Sequence, residues 1–151
     1  MGLGLTLASA VILAVTPVYA AESALGEPGD CFSRVYDAEH LKSHPDQRVE
    51  RFAVGLHPDF QDPNYDLTLL FGFRTREGND YVGLGLCEGN RCGVEGDGGM
   101  FSLSLQGDAL RLEIDPERGL SAESAVDFID LAESDDRVFL LYPASAKACR
   151  F

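Results

Sequence analysis

The run Val82-Gly83-Leu84-Gly85-Leu86-Cys87-Glu88-Gly89-Asn90-Arg91-Cys92 decides the fold class. Its first five residues alternate large apolar with small, the period of two expected of a half-buried strand. Gly89-Asn90 is a two-residue hairpin signal, so Glu88 should face Arg91 and Cys87 should face Cys92 one step further out. That outer pair is the closely spaced kind, with Cα atoms about 4.5 Å apart, within reach of a disulfide. The same period recurs on both sides of the hairpin. Phe52, Val54 and Leu56 alternate with Arg51, Ala53 and Gly55, and Leu67, Leu69, Phe71 and Phe73 alternate with Thr68, Leu70, Gly72 and Arg74. Further on, Phe101, Leu103 and Leu105 alternate with serines, and Leu110, Leu112 and Ile114 with Arg111 and Glu113.

Turn signals separate these runs: residues 58–64, Glu77-Gly78-Asn79, Asp97-Gly98-Gly99 and Gly107-Asp108. Short strands joined by tight turns give a mainly β chain, an antiparallel meander whose apolar face must be covered by closing as a small barrel or a curled sandwich. Gly72, Gly83 and Gly85 lie inside strands, which implies sharp bending or close backbone approach and favours curling. Two helices are expected beside the sheet. A short N-terminal one is capped by Asp37 and stopped by His44-Pro45. The other lies near 121–133, where Ala122, Ala125, Val126, Ile129 and Ala132 recur at helical spacing behind Ser121 as N-cap. A last strand, 138–142, leads to Cys149.

Residues 1–21 carry no charge, and the run closes on Val18-Tyr19-Ala20 before Ala21-Glu22-Ser23. These features read as a secretory signal peptide over residues 1–20. A flexible lead over 21–30 and a single disulfide-framed β domain over 31–151 follow. An uncleaved anchor is the alternative reading of the leader; after its removal no segment could span a bilayer. Export to the periplasm or beyond makes disulfides the default state of the four cysteines. Four cysteines allow three pairings. Hairpin geometry favours Cys87–Cys92, which leaves Cys31–Cys149 to join the ends of the domain.

The chain holds 12 Lys and Arg against 25 Asp and Glu, a net charge of −13. Such a surface repels nucleic acid and anionic lipid, keeps an exported protein soluble and attracts basic partners. Candidate chemistry is sparse. His40 and His44 stand four apart, the spacing of two metal ligands on one helical face, but they lack the glutamate of the H-E-x-x-H motif. Asp127, Asp130, Glu133, Asp135 and Asp136 form the densest acidic run, which could ligate calcium or supply paired carboxylates to a glycosidase. Asp127 and Asp130 fall on the polar side of the second helix, and a solvated face is the better reading. Glu95-Gly96-Asp97-Gly98-Gly99 could hold an ion but is sufficient as a turn. There is no G-x-S-x-G, and His57, before Pro58, has no partner visible in the sequence. No cofactor is implied.

Three segments carry a resemblance: C-F-x-R-V-Y-x-x-x-H-L-x-x-H-P-x-Q over 31–47, C-G-V-E-x-D-G-G-x-F over 92–101, and D-D-R-V-F-L followed by A-C-R near the end. Together they resemble small exported proteins of unknown function from Gram-negative bacteria. No site residue is implied by that likeness. The expected function is a non-catalytic binding module, an inhibitor of a basic envelope-directed protein such as lysozyme being one form. A small-molecule or metal carrier using space beneath the strand glycines, or the His40/His44 pair, is the alternative. A hydrolase built on His57 or His40 with a carboxylate comes third.

Overall fold

A computed structural model describes residues 24–125 and 127–151; the expected signal peptide lies outside the described residues. Ten strands are present among them: β1 (Cys31–Val35), β2 (Val49–Leu56), β3 (Leu67–Thr75), β4 (Asp80–Glu88), β5 (Arg91–Val94), β6 (Met100–Gln106), β7 (Ala109–Ile114), β8 (Ser121–Glu123), β9 (Phe128–Asp130) and β10 (Val138–Pro143). A short α-helix, α1 (Ala38–Ser43), joins β1 to β2. Asp37 caps it by accepting from the His40 N–H at 2.8 Å. No helix of the described residues is long and apolar enough to cross a membrane.

The sheet runs β3-β2-β1-β10-β7-β6-β5-β4, and β4 pairs again with β3. Eight antiparallel strands therefore close a barrel, which removes the unpaired edges an open meander would leave. Strands β8 and β9 form a hairpin that leaves the ring and is joined to β4 through Val82↔Glu123. In the two-residue turns the leading residues Gly89 and Gly107 have φ of +58° and +66°, the left-handed conformation that tight hairpins require at that place.

Side chains fill the barrel. Phe52, Phe71, Phe73, Tyr81, Phe101 and Phe139 are all at most 2% exposed. Phe52 packs on Phe139 with ring centroids 4.4 Å apart, and Phe71 meets Phe101 edge-on at 5.7 Å. Leu25 is fully buried in the same core, so the stretch expected to be a flexible lead already contributes to packing.

Both disulfides are formed. Cys87 and Cys92 are register partners across the β4–β5 hairpin, with Cα atoms 4.0 Å apart. Cys31–Cys149 spans 5.9 Å between Cα atoms and 118 residues of chain. It holds the C-terminal segment over the outside of β2 and β3, where Cys149 lies above Gly55 and the Phe151 ring above Gly72.

Two sequence expectations are corrected. Residues 121–133 are not a helix; they form the β8–β9 hairpin followed by a short turn of 3-10 helix over Leu131–Glu133. Ala122 and Ile129, which helical spacing puts on one face, are register partners in the hairpin and share a buried face there too. Their spacing suits both structures, and the contacts of Glu123 with Val82 and of Leu120 with Gly99 decide for the strand. The second correction concerns the phase of β4. Gly83 and Gly85 face inward: a Cβ on Gly83 would lie 2.3 Å from Phe71 Cζ, and one on Gly85 2.9 Å from Phe101 Cζ. Val82, Leu84 and Leu86 consequently point outward, with Val82 at 38% exposure.

Candidate functional site

Of the residues that the sequence singled out, His40 and His44 come together, while His57 lies on a separate loop. His40 and His44 share one side of α1 as their spacing requires, but their rings stack at 4.2 Å. His40 Nε2 pairs with Gln47 Oε1 at 2.9 Å, and His44 Nδ1 pairs with the His40 carbonyl at 2.9 Å. His57 Nδ1 accepts from the backbone N–H groups of Asp59 and Phe60 at 3.3 and 3.1 Å, which closes its own loop. No group of three or more His, Cys, Asp or Glu side chains placed to hold a metal ion occurs among the described residues.

The acidic run is not a solvated helical face. Asp130 accepts from the Ala132 N–H at 2.8 Å and caps the turn after β9. Asp136, 2% exposed, accepts from the N–H groups of Arg48 and Val49 at 2.7 and 3.2 Å and from the Ser134 hydroxyl at 2.7 Å. Burial holds its carboxyl above the ordinary aspartate range despite these donors. Asp127 accepts from the Ser124 hydroxyl at 2.6 Å and the Tyr81 hydroxyl at 2.8 Å, and these two bonds hold it below the ordinary range. Three of the five acids thus fix backbone or tie elements together.

The space beneath the strand glycines, which would have housed a carried ligand, is taken by the Phe71 and Phe101 rings. What remains is on the outside. Strand β4 keeps β3 on one side along its whole length. On its other side β5 leaves the ladder after Gly85↔Val94, and β8 enters at Val82↔Glu123. Gly83 and Leu84 lie between those points, opposite no paired residue on that side. A cleft of about 500 Å³ opens there, floored by Val82, Gly83 and Leu84 and walled by the Glu95–Asp97 turn and the β8–β9 hairpin.

The walls are fastened by short backbone bonds. The Ser121 N–H donates to Gly98 O at 2.7 Å, Val94 N–H to Gly99 O at 3.0 Å and Met100 N–H to Gly119 O at 3.0 Å. Gly96 and Asp97 both have positive φ, +72° and +62°. Asp97 is the only non-glycine residue in that conformation among the described residues, one that aspartate tolerates better than most side chains. On the opposite wall, Tyr81 reaches out of the core to hold Asp127, the residue before Phe128.

The charged side chains lining the cleft are Glu95 and Glu123, both exposed, and neither enters an ion pair among the described residues. Phe128 stands at its rim at 62% exposure. A second hollow of about 390 Å³ adjoins it across Val94, lined by Tyr65, Leu86, Arg91 and Met100 among others. There Arg91 lies 4.0 Å from Asp115 and 3.7 Å from the Met100 sulfur. The outward side of β4 is therefore an apolar strip bordered by Glu95 and Glu123 at its Val82 end and by Glu88 and Arg91 at its Leu86 end. The signal for it was present in the sequence as the apolar members of the β4 alternation, but their outward direction depends on rings supplied by β3 and β6. Comparison of the chain with family models, with curated proteins and with solved structures finds no match.

Proposed function

We propose that this chain is an exported, non-catalytic binding module that engages a basic protein through the outer face of β4, β5 and the β8–β9 hairpin. One observation carries the reading: the barrel interior is occupied by its own aromatic side chains, while Val82, Leu84 and Leu86 face outward and Glu95 and Glu123 border Val82 and Leu84. Apolar side chains grouped on a surface and bordered by charge suit a protein contact better than solvent. The net charge of −13 supplies long-range attraction for a cationic partner. Export is supported by the uncharged stretch over residues 1–21 and by the pairing of all four cysteines, which suits an oxidising compartment.

The test is direct binding of the purified, oxidised chain to a panel of basic proteins, lysozyme and cytochrome c among them, with acidic proteins as controls. The reading expects saturable binding to at least one basic member that weakens as salt rises, because exposed charges are screened beyond about 8–10 Å at physiological ionic strength. Binding to no basic member, or binding indifferent to salt, would overturn it.

A further inference from the structure

We infer that the cleft between the Glu95–Asp97 turn and the β8–β9 hairpin is the receptor for one arginine or lysine side chain of that basic partner. The inference rests on the reading above and gives the binding face its specificity. The cleft has three properties that a cationic side chain needs together. Its floor is apolar where β4 lacks a strand partner on the side away from β3, so the methylene stem has Val82 and Leu84 to lie against. Its charged lining is wholly acidic, with Glu95 on one wall and Glu123 on the other. An exposed aromatic ring, Phe128, stands at its mouth, where a guanidinium or ammonium can settle over the ring face.

The neighbouring hollow lacks this combination, because Arg91 already occupies it as a cation beside Asp115. The cleft is also built rather than incidental. The two walls are tied to each other through Ser121 N–H to Gly98 O, and the hairpin wall is tied to the barrel through the Tyr81 hydroxyl to Asp127. A cation entering therefore meets two glutamates carried on backbone that is already tied in place, which lowers the ordering cost of binding. Arginine fits better than lysine, since its flat, weakly hydrated head can stack on Phe128 while donating sideways to carboxylates.

The experiment is a two-dimensional amide NMR titration of the whole oxidised chain with the capped peptide acetyl-Gly-Gly-Arg-Gly-Gly-amide. Its neutral isostere, with citrulline replacing arginine, is the control. The arginine peptide is expected to shift amides of Val82, Leu84, Gly96, Gly98 and Glu123 along one saturable curve. Citrulline should bind roughly tenfold more weakly or less, and the double variant Glu95→Gln/Glu123→Gln should weaken the arginine peptide about five- to tenfold. Its otherwise unchanged spectrum would show that the fold is kept. Equal shifts with citrulline, shifts centred on another acidic segment, or an unaffected double variant would each overturn the assignment.

The basic-protein panel separates the two levels of the account. A partner that binds wild type and the double variant equally would remove the cleft and leave the binding-module reading standing. A peptide that fills the cleft while no basic protein binds would keep the cation site and remove that reading.

Discussion

The Tyr81 hydroxyl donates to Asp127 Oδ1 at 2.8 Å and so joins the barrel core to the hairpin outside it. The Tyr81 ring is 1% exposed and stacks on Phe73 at 5.2 Å, so its position is set by core packing. Burial first, and then the Asp127 bond, raise the Tyr81 hydroxyl above its ordinary range. The consequence is a wall of the cleft that this bond ties to the core, beside the β4–β8 pairing at Val82 and Glu123. Tyr81→Phe should leave the barrel folded and loosen the hairpin locally. Amide exchange at Phe128 and Asp130 should rise roughly three- to tenfold in hydrogen-exchange mass spectrometry, with little change in β2 or β7.

Gly83 and Gly85 should not accept alanine. A Cβ on Gly83 would stand 2.3 Å from Phe71 Cζ, and the ring is confined by Phe52 and Phe101. Gly83→Ala should cost about 1–3 kcal/mol in chemical denaturation. Gly93→Ala, with nothing within 4 Å of its added carbon, should be near neutral. Because the clash has one partner, Phe71→Leu should cost less in the Gly83→Ala background than in wild type, a coupling a double-mutant cycle would read.

Removing the two disulfides separately should give unequal losses. Cys31–Cys149 closes 118 residues and Cys87–Cys92 closes 5. The chain-entropy treatment gives about 5 kcal/mol for the first and about 2 for the second. Cys31→Ala/Cys149→Ala should therefore lower the midpoint of unfolding much more than Cys87→Ala/Cys92→Ala. Equal losses would contradict this ranking.

The buried Asp136 carboxyl predicts a pH signature of definite sign. Its folded-state pKa is raised by burial. Its contribution to stability is therefore fully present below the ordinary aspartate value of about 3.9 and is lost as pH rises through the folded value. Asp136→Asn removes that titration and sets an amide N–H against backbone donors, at a cost of about 1–3 kcal/mol. The stability gap between wild type and variant should be widest in acid and should narrow toward neutrality. Asp80, Asp115 and Asp127 are shifted the other way, so their contributions are lost as pH falls. They act in both proteins and cancel in the difference.

These particulars show where the sequence was legible. The hairpin at Gly89-Asn90 and the Cys87–Cys92 pair depend on residues within one turn of each other, and local chemistry specifies them. The phase of β4 does not, since alternation of large and small residues names two faces without saying which is inside. Here Phe71 from β3 and Phe101 from β6 fill the space, and the glycines are inside because of them. The β8–β9 hairpin was hidden by a coincidence: residues whose numbers sum to 251 pair across it, which also brings Ala122 and Ile129 together at two helical turns. The cleft could not be read at all, because it exists only where β5 leaves β4 before β8 arrives.

The central claim is that binding happens on the outside of the barrel at this break in the ladder. Hydrogen-exchange mass spectrometry of the oxidised chain, alone and saturated with a basic protein that binds it, tests that claim most directly. The account predicts slowed exchange in β4 around Val82–Leu86, in the Glu95–Gly99 loop and in the β8–β9 hairpin, with the far side of the barrel at β1 and β10 unchanged. Protection confined to β1, β10 and α1, with the β4 side exchanging as in the free chain, would contradict it.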